Sequence, residues 1–418
     1  MNVLITGIAG FIGHRLAQAL VVHKDINIIG IDNLNNGHYT EWQVGRLHSC
    51  GIDLPNKVKA RQIFPSLLFD NLKMVVIDIC NKNDIDKLFA KYHFDMVFHL
   101  AAMAGVRDSI LKPYHFFRAN IAGFMNVIDA CRKNNVKKII FASSSSVYGQ
   151  SKRLPSKESD IIERQESYYA ITKSHNEDIA RFYARSYGIH IVGLRFFTVY
   201  GPWGRPDMAP MIFANSIYRR KQISLFNNGD LKRDFTYIDD VIQSILGIFT
   251  FLFFKNVQDR NVYFDIYNVG TGKSYKVKDF VNILERKMKG ERIKKKYLPM
   301  QSGDVYQTKA DTSKLKNEIN CECKTSLDEG LKSFVEWFHS YLESVVVFII
   351  ARKFNLKYED IAKSDNFITT YHADSLDLMD LIIQIEQRLQ IKIPNDRLLK
   401  IATVNDLLTA ARIPTSHE

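Results

Sequence analysis

No apolar run in these 418 residues is long enough to cross a bilayer: the longest, at 245–254 and 345–350, fall far short of the roughly 20 residues a hydrocarbon core demands. The sequence therefore reads as that of a protein without a membrane span. Cysteine is scarce. Its five residues, at positions 50, 80, 131, 321 and 323, are odd in number and scattered, which argues against a disulfide framework. Cys321 and Cys323 form a single Cys-x-Cys with no second ligand pair to complete a structural zinc site, so no metal is expected. Scattered thiols suit a reducing compartment, and the N-terminus opens directly into a strand-like run rather than a signal peptide, so the cytoplasm is the expected location. Internal repeats and low-complexity tracts are also missing. The formal net charge is +12, with basic clusters at 219–221 and 292–296, yet no basic stripe is interleaved with aromatics. That argues against a nucleic-acid partner. The clusters read as solvated surface, while the positive balance also suits an anionic substrate.

What is present begins at once. Residues 1–6 form an apolar run, Gly7, Gly10 and Gly13 follow, and 15–22 has helical periodicity. Glycines at that spacing between a strand and a helix permit a tight turn and a close backbone approach to a pyrophosphate at the helix N-terminus. A second apolar run, 26–31, ends at Asp32, whose carboxylate would bind a ribose 2′-hydroxyl and repel a 2′-phosphate. NAD is therefore expected rather than NADP. Further on, Tyr169 and Lys173 lie four residues apart in Ser-Tyr-Tyr-Ala-Ile-Thr-Lys. On a helix this stacks both side chains on one face, so a cation beneath the phenol favours phenolate and a proton-accepting role. The plain alternative is a surface helix contact. Ser143 to Ser146 end a strand-like run, where a hydroxyl emerges at the ligand-binding edge of an open α/β sheet.

Short apolar strands alternate with longer helical segments from 1 to about 150, with strands expected at 3–6, 28–31, 73–77, 96–100 and 138–143 and a sixth at 189–195. Such alternation implies an α/β Rossmann-type doubly wound parallel sheet with helices on both faces. Residues 200–310 mix loops, Gly/Pro turns and helices, as a smaller substrate-binding lobe would. Around 340 the character changes. Residues 329–341 read as the closing helix of a first unit spanning 1–341, and 345–354, 375–390 and 404–412 as helices of a second, all-helical unit at 344–412.

The glycine triplet, Ser-Ser-Ser-Ser-Val-Tyr-Gly149 and Tyr-x-x-x-Lys173 resemble the extended short-chain dehydrogenase/reductase family of nucleotide-sugar enzymes. Within it, the block from Arg195 to Ala209, Lys232-Arg-Asp-Phe-Thr-Tyr-Ile-Asp-Asp240, Gly51-Ile-Asp-Leu-Pro55 and Gly303-Asp-Val305 are similar to the UDP-glucuronate 4-epimerases. The resemblance covers roughly residues 1–340. It implies that Tyr169 takes the proton of the sugar 4-hydroxyl, that Ser144 polarises the same oxygen, and that Lys173 holds the phenolate charge and the nicotinamide ribose. It further implies cofactor contacts from Gly7, Gly10, Phe11, Ile12, Gly13, Asp32, Asp78, Ile79, Leu100, Ala101 and Ala102, with His99 and Asn120 nearby. A helix N-cap is the other reading of Asp78.

Sister enzymes begin with the same oxidation. A 4,6-dehydratase usually needs an Asp-Glu pair where this chain has Ser145 and Ser146, and a uronate decarboxylase typically has a nearby Glu that is absent here. Neutral hydroxyls suit holding a carboxylate still, because a 4-keto uronate is a β-keto acid prone to lose CO₂. By resemblance Thr198, Ser145 and Arg205 hold that carboxylate, Arg233 the diphosphate and Asp304 the uridine ribose, with Ser146 and Arg107 at the substrate. Strand-end capping for Ser145 and Thr198, and a salt bridge from Arg233 to Asp239 or Asp240, are the structural alternatives.

In the second unit, Asp374 is a good N-cap for a helix that places Leu378, Leu381, Ile382, Ile385 and Leu389 on one face and leaves Ser375 exposed at the first turn. Asp-Ser-Leu-Asp-Leu378, Ile-Glu-Gln-Arg-Leu389, Ile-Lys-Ile-Pro394 and Thr403-Val-Asn-Asp-Leu407 resemble an acyl carrier protein, a four-helix bundle whose matching serine carries 4′-phosphopantetheine. Ser375 is then the attachment site. A phosphopantetheinyl transferase and an acyl- or aminoacyl-loading enzyme become expected partners. The helix is only mildly acidic, with Asp377, Asp380 and Glu386 against Arg388. Two readings of the whole chain follow: a UDP-sugar 4-epimerase joined to a carrier, or a carrier and docking protein on an epimerase-like scaffold. UDP-glucose and UDP-N-acetylhexosamine remain alternative substrates. Family members usually form homodimers through helices that correspond here to about 114–134 and 168–187.

Overall fold

The computed structural model describes every residue except 38–39, 56, 152, 163, 255–262, 289–292, 302, 358–359 and 412–418, so positions 292 and 412 of the expected features lie outside the described residues. The first half of the chain runs β1 (Asn2–Thr6), α1 (Phe11–Leu20), β2 (Asn27–Asp32), α2 (Glu41–His48), β3 (Ile63–Pro65), β4 (Leu72–Val76) and α3 (Lys82–Tyr92). It continues with β5 (Met96–His99), α4 (Val106–Leu111), α5 (Pro113–Phe116), α6 (Phe124–Lys133), β6 (Lys138–Ser144), α7 (Tyr168–Tyr187) and β7 (His190–Phe196). Then come β8 (Thr198–Tyr200), α8 (Ala209–Tyr218), β9 (Ile223–Phe226), β10 (Lys232–Arg233), β11 (Phe235–Tyr237), α9 (Ile238–Phe254), β12 (Phe264–Val269) and β13 (Tyr275–Lys276). The remainder is α10 (Val277–Lys287), β14 (Lys295–Leu298), α11 (Leu327–Phe354), α12 (Ser375–Leu389), α13 (Asn395–Leu398) and α14 (Val404–Ala411).

Eight strands form one sheet in the order β12-β7-β6-β5-β1-β2-β4-β3. Its pairs are parallel except β3 against β4. This is the Rossmann-type doubly wound arrangement. Its strand order reverses between β1 and β5, which opens a crevice outside the carboxyl ends of β1, β5 and β6. A core of Leu4, Ile29, Phe89, Phe124, Phe141 and Ile191 with their neighbours fills one face, under α3, α6 and α7. The six expected strands form. The structure adds β12, inside the stretch that read as loops and helices: Phe264 to Val269 pairs with β7 at the sheet edge, and its last four residues are buried.

Two compact units emerge, one of Met1–Pro206, Phe226–Val277 and Pro299–Leu327, the other of Asp207–Leu225, Lys278–Leu298 and Asp328–Glu418. The second thus combines part of the lobe with the carrier-like segment, whereas the sequence pattern put a break near 340. The two helices expected on either side of that break are one helix of 28 residues, α11. The reason is a continuous stripe at three- and four-residue spacing: Leu331, Phe334, Phe338, Leu342, Val346 and Ile350 are all buried. Joined in this way, α11 is long and apolar enough to cross a membrane by length and composition, which neither apolar run suggested alone. Its stripe, however, is covered by protein.

Candidate active site

The turn after β1 is built by its glycines. Gly7 has φ +76°, and a Cβ there would lie 2.8 Å from the Ala101 nitrogen; one on Gly13 would lie 2.1 Å from the Gly7 carbonyl. Only glycine fits, and the backbone is left close to the crevice. Helix α1 starts at Phe11 behind Gly10 with no side-chain cap and no acidic residue in its first turn, which suits an anion at its positive end. Asp32, at the end of β2, accepts from the Ala9 and Leu34 N–H groups at 3.2 and 3.0 Å. Its carboxyl is pushed up by burial, against the pull of those N–H groups. Asp78 accepts from Cys80 N at 2.9 Å, and the cap of α3 is Asn81, so the N-cap reading of Asp78 does not hold. His99 is bonded to Thr6 at 3.0 Å, and burial, helped by the Lys173 charge, lowers its pKa to about 3. Thr6 also receives Leu100 N and Ala101 N at 3.1 Å, which ties the loop after β5 to β1. A dinucleotide fits this turn, carboxylate and loop.

Ser144 is the last residue of β6, and Tyr169 lies in the first turn of α7, whose cap is the Ser167 hydroxyl accepting from Ala170 N. The Ser144 side chain lies near enough to the Tyr169 phenol to favour its ionised form. Lys173 is 2% exposed, with its ammonium 6.0 Å from the Tyr169 ring centre and donating to the Ala142 carbonyl at 2.7 Å. The expected order of titration is reversed here. Burial pushes the Tyr169 phenol up, opposed by the Ser144 side chain and the Arg205 charge, while burial lowers Lys173 to about 8. At that distance the ammonium does not overcome desolvation of the phenol.

The remaining expected residues sort into two groups. Ser145 and Ser146 open the short 3₁₀ turn after β6 and are half-buried beside Ser144. Thr198 starts β8, held by its N–H to the Asp234 carbonyl at 3.0 Å, and Arg205 donates to the Ala104 carbonyl at 2.8 Å. Arg107 and Arg233 converge on Asp304, at 3.4 and 3.7 Å. Arg233 is therefore paired with Asp304; Asp239 binds Arg15 instead, and Asp240 binds Thr325. Two guanidinium groups facing one carboxylate form a place where an added diphosphate finds both arginines together.

Sequence reasoning missed the groups that hold these side chains. Glu177, one turn beyond Lys173, accepts from Arg195 at 2.9 and 2.7 Å and from Ser143 at 2.5 Å, wholly buried. The four-residue step from Lys173 was a signal for it. Asp234, 0% exposed, accepts from Thr271, Gly272 and Ala310 N–H groups and joins three segments beside Arg233. Arg46 donates to the carbonyls of Ala9, Trp203 and Gly204, binding the glycine turn to the loop that carries Arg205. Asn120 lies in a π-helical stretch, Phe117–Gly123, and bonds Met103 and Thr172, whose hydroxyl in turn donates to the Tyr169 carbonyl. Nothing in its local sequence marks Arg46, and Asp234, though inside the 232–240 block, carries no sign there of the segments that it joins.

In the other unit, Asp374 caps α12 by a capping box with Asp377, and Ser375 is exposed beside it. Leu381, Ile382, Ile385 and Leu389 form the buried face. Lys353 reaches Asp377 at 3.1 Å and Asp380 at 2.7 Å, so two of the few acidic groups near Ser375 are already paired.

The sequence matches the model of the NAD dependent epimerase/dehydratase family over residues 3–270 and that of the phosphopantetheine attachment site over 344–411. It is 38% identical to UDP-glucuronate 4-epimerase 4 of Arabidopsis thaliana over 356 residues, which is 82% of this chain and 76% of that one. Among solved structures it is similar to UDP-glucuronic acid 4-epimerase from Bacillus cereus in complex with UDP-glucuronic acid and NAD, at 30% identity and TM-score 0.70, covering 82% of this chain and 100% of that one. It is also similar to UDP-glucose 4-epimerase from Thermotoga maritima with UDP-glucose, at 28% identity and TM-score 0.68, with coverage of 82% and 100%.

Proposed function

Because this chain belongs to the NAD dependent epimerase/dehydratase family, we propose that it interconverts UDP-glucuronate and UDP-galacturonate by inversion at C4. It is an NAD-dependent nucleotide-sugar 4-epimerase with a phosphopantetheine attachment segment. One observation carries the choice of a uronate. Arg205, held on the Ala104 carbonyl at 2.8 Å, is the cation whose charge is felt at Tyr169, so a uronate whose 4-hydroxyl meets the phenol would bring its neighbouring C5 carboxylate toward a positive charge. Ser145, Ser146 and Thr198 add neutral hydroxyls and no general acid, which favours holding the carboxylate over expelling CO₂.

In this reading Gly7, Gly10 and Gly13 give the pyrophosphate its turn, Asp32 the adenosine ribose hydroxyls and Asp78 the adenine. When bound, NAD supplies the acceptor for the C4 hydrogen and a positive charge beside the phenol. Tyr169 takes the 4-hydroxyl proton, aided by Ser144, and Lys173 stabilises the negative charge that develops. The 4-keto sugar turns over between the residues that hold its carboxylate and those that hold its diphosphate, Arg107 and Arg233. Tyr169 then returns its proton to the 4-oxygen, while the hydrogen taken from C4 would come back from the reduced cofactor to the opposite face of that carbon, which inverts the centre and regenerates NAD. The residues at 344–412 form the carrier domain, Ser375 bears the phosphopantetheine, and 1–341 supply the epimerase.

A homodimer through the segments 114–134 and 168–187 is supported by exposed apolar side chains there: Tyr114 is 68% exposed, Phe117 44% and Phe182 58%. Five cysteines without disulfides support a reducing cytoplasm. The carrier would present an acyl or aminoacyl group, loaded by a separate enzyme, to a pathway acting on the same sugar. Incubation with UDP-glucuronate should yield UDP-galacturonate; turnover of UDP-glucose alone would replace the uronate reading, and bound NAD without any turnover would favour the scaffold reading.

A further inference from the structure

The second compact unit contains both α8, from the epimerase-family segment, and the phosphopantetheine segment. Their meeting is specific. Helices end with carbonyls that have no partner within the helix. At the end of α12 the Leu389 carbonyl accepts from Arg219 Nε at 3.0 Å, and the Gln390 side chain accepts from Arg219 Nη1 at 3.0 Å and Lys221 Nζ at 3.2 Å. At the end of α14 the Ala411 carbonyl accepts from the buried Tyr218 hydroxyl at 2.8 Å, across 193 residues of sequence. Three residues at the close of α8 therefore cap two carrier helices, with two cations set at the negative end of one of them.

Apolar packing backs these bonds. The Tyr218 ring meets Phe338 of α11 edge-on, with ring centres 6.0 Å apart. The void among Tyr218, Leu342, Val346, Leu389 and Leu408 is ≈ 10 Å³, about the room of one water. No hinge separates the two at 341–344 either, since α11 runs unbroken through those positions.

We propose that the carrier of this chain is stationary, clamped at the C-terminal ends of α12 and α14 by Tyr218, Arg219 and Lys221 of its own lobe. Ser375 sits at the opposite end of α12, 15 residues or about 22 Å from the clamp, and stays exposed. A loading or unloading enzyme therefore comes to Ser375, and only the flexible arm moves. This last consequence rests on the attachment reading of Ser375; the clamp does not.

The test is ¹⁵N relaxation on the full-length protein. Amides of α12 and α14 should report the same rotational correlation time as those of α8 and α10. A correlation time several-fold shorter in the carrier helices would overturn the proposal. Arg219→Glu with Lys221→Glu puts carboxylates against the helix end and should shorten the carrier value several-fold while leaving that of α8 unchanged; no change on charge reversal would remove these residues from the clamp and overturn it too. If the double variant proves insoluble, Tyr218→Phe, which deletes one bond and keeps the ring, should raise amide hydrogen exchange in α14 at least several-fold, and unaltered exchange would count against the clamp. Intact mass after treatment with a phosphopantetheinyl transferase is read separately, so an unmodified Ser375 would sink the attachment reading and leave the clamp standing.

Discussion

Tyr169 and Ser375 both lie in the first turn of a helix and face opposite surroundings. Each lies in the first turn, behind a side-chain cap: Ser167 for α7, Asp374 for α12. Helix α7 is sunk into the sheet, with Lys173, Asn176 and Glu177 buried along one side. Helix α12 buries only apolar residues and leaves its first turn in solvent. A side-chain cap at the first turn thus serves two chemistries. A phenol that must hold or release a proton gains from a dry, charged neighbourhood, where each electrostatic contact weighs more. A serine that must be reached by another enzyme needs exposure.

The contrast is broken most severely at the two hydroxyls themselves. Tyr169→Phe should lower turnover by about 10²–10⁴-fold, the range general acid–base catalysis spans, with Ser375 still modifiable. Ser375→Ala should do the reverse, abolishing the mass increase and sparing turnover. A UDP-sugar assay and intact mass read both, and any cross-effect would tie the sites together. Next comes Glu177→Gln, which leaves the buried Arg195 without its carboxylate and should cost about 3–5 kcal/mol in urea unfolding. The carrier has no such pair among its described residues, and a loss below 1 kcal/mol would mean the pair adds little.

Acid should separate the regions further. His14 and His99 are both held to about 3, mainly by burial, and both belong to the sheet unit. Between about 6.5 and 3 the unfolded chain binds these two protons and the folded chain does not, so stability is lost as pH falls through that window, by about 1.4 kcal/mol per pH unit for each histidine. Hydrogen exchange along a pH series should show β1 and β5 opening before α12; simultaneous opening would argue that other groups dominate. The smallest effect belongs to the carrier cap: Asp374→Ala should cost about 1 kcal/mol, seen as faster exchange in α12 alone. If exchange in α7 rises with it, the helices are not independent.

Much of the sheet was legible because its signals are local. Strands from 3–6 to 189–195 carry their own apolar runs, and Gly7, Gly10 and Gly13 mark a turn that no other residue can make. Ser144, Tyr169 and Lys173 lay in two short motifs, and the structure brings them together across β6 and α7. What escaped was long-range. Strand β12 is too mixed in character to declare itself and exists because β7 offers an edge. Arg46 looks like an ordinary surface residue, and Asp234 like one more member of its block, until the loops that they join are known. The titration order of Tyr169 and Lys173 also escaped, since helical spacing gives proximity but says nothing of desolvation.

By itself the sequence determined which residue types meet at each site: glycines at a turn, hydroxyls at a strand end, a phenol and an ammonium one helical turn apart, a serine behind an acidic cap. These are matters of neighbours within a few positions, so backbone geometry alone enforces them. The tertiary structure decided their environment, burying Lys173 against Ala142 and leaving Ser375 in water. It also decided that the carrier helices end on α8, because a terminal carbonyl takes whichever donor the fold delivers, and Arg219 comes from 170 residues away.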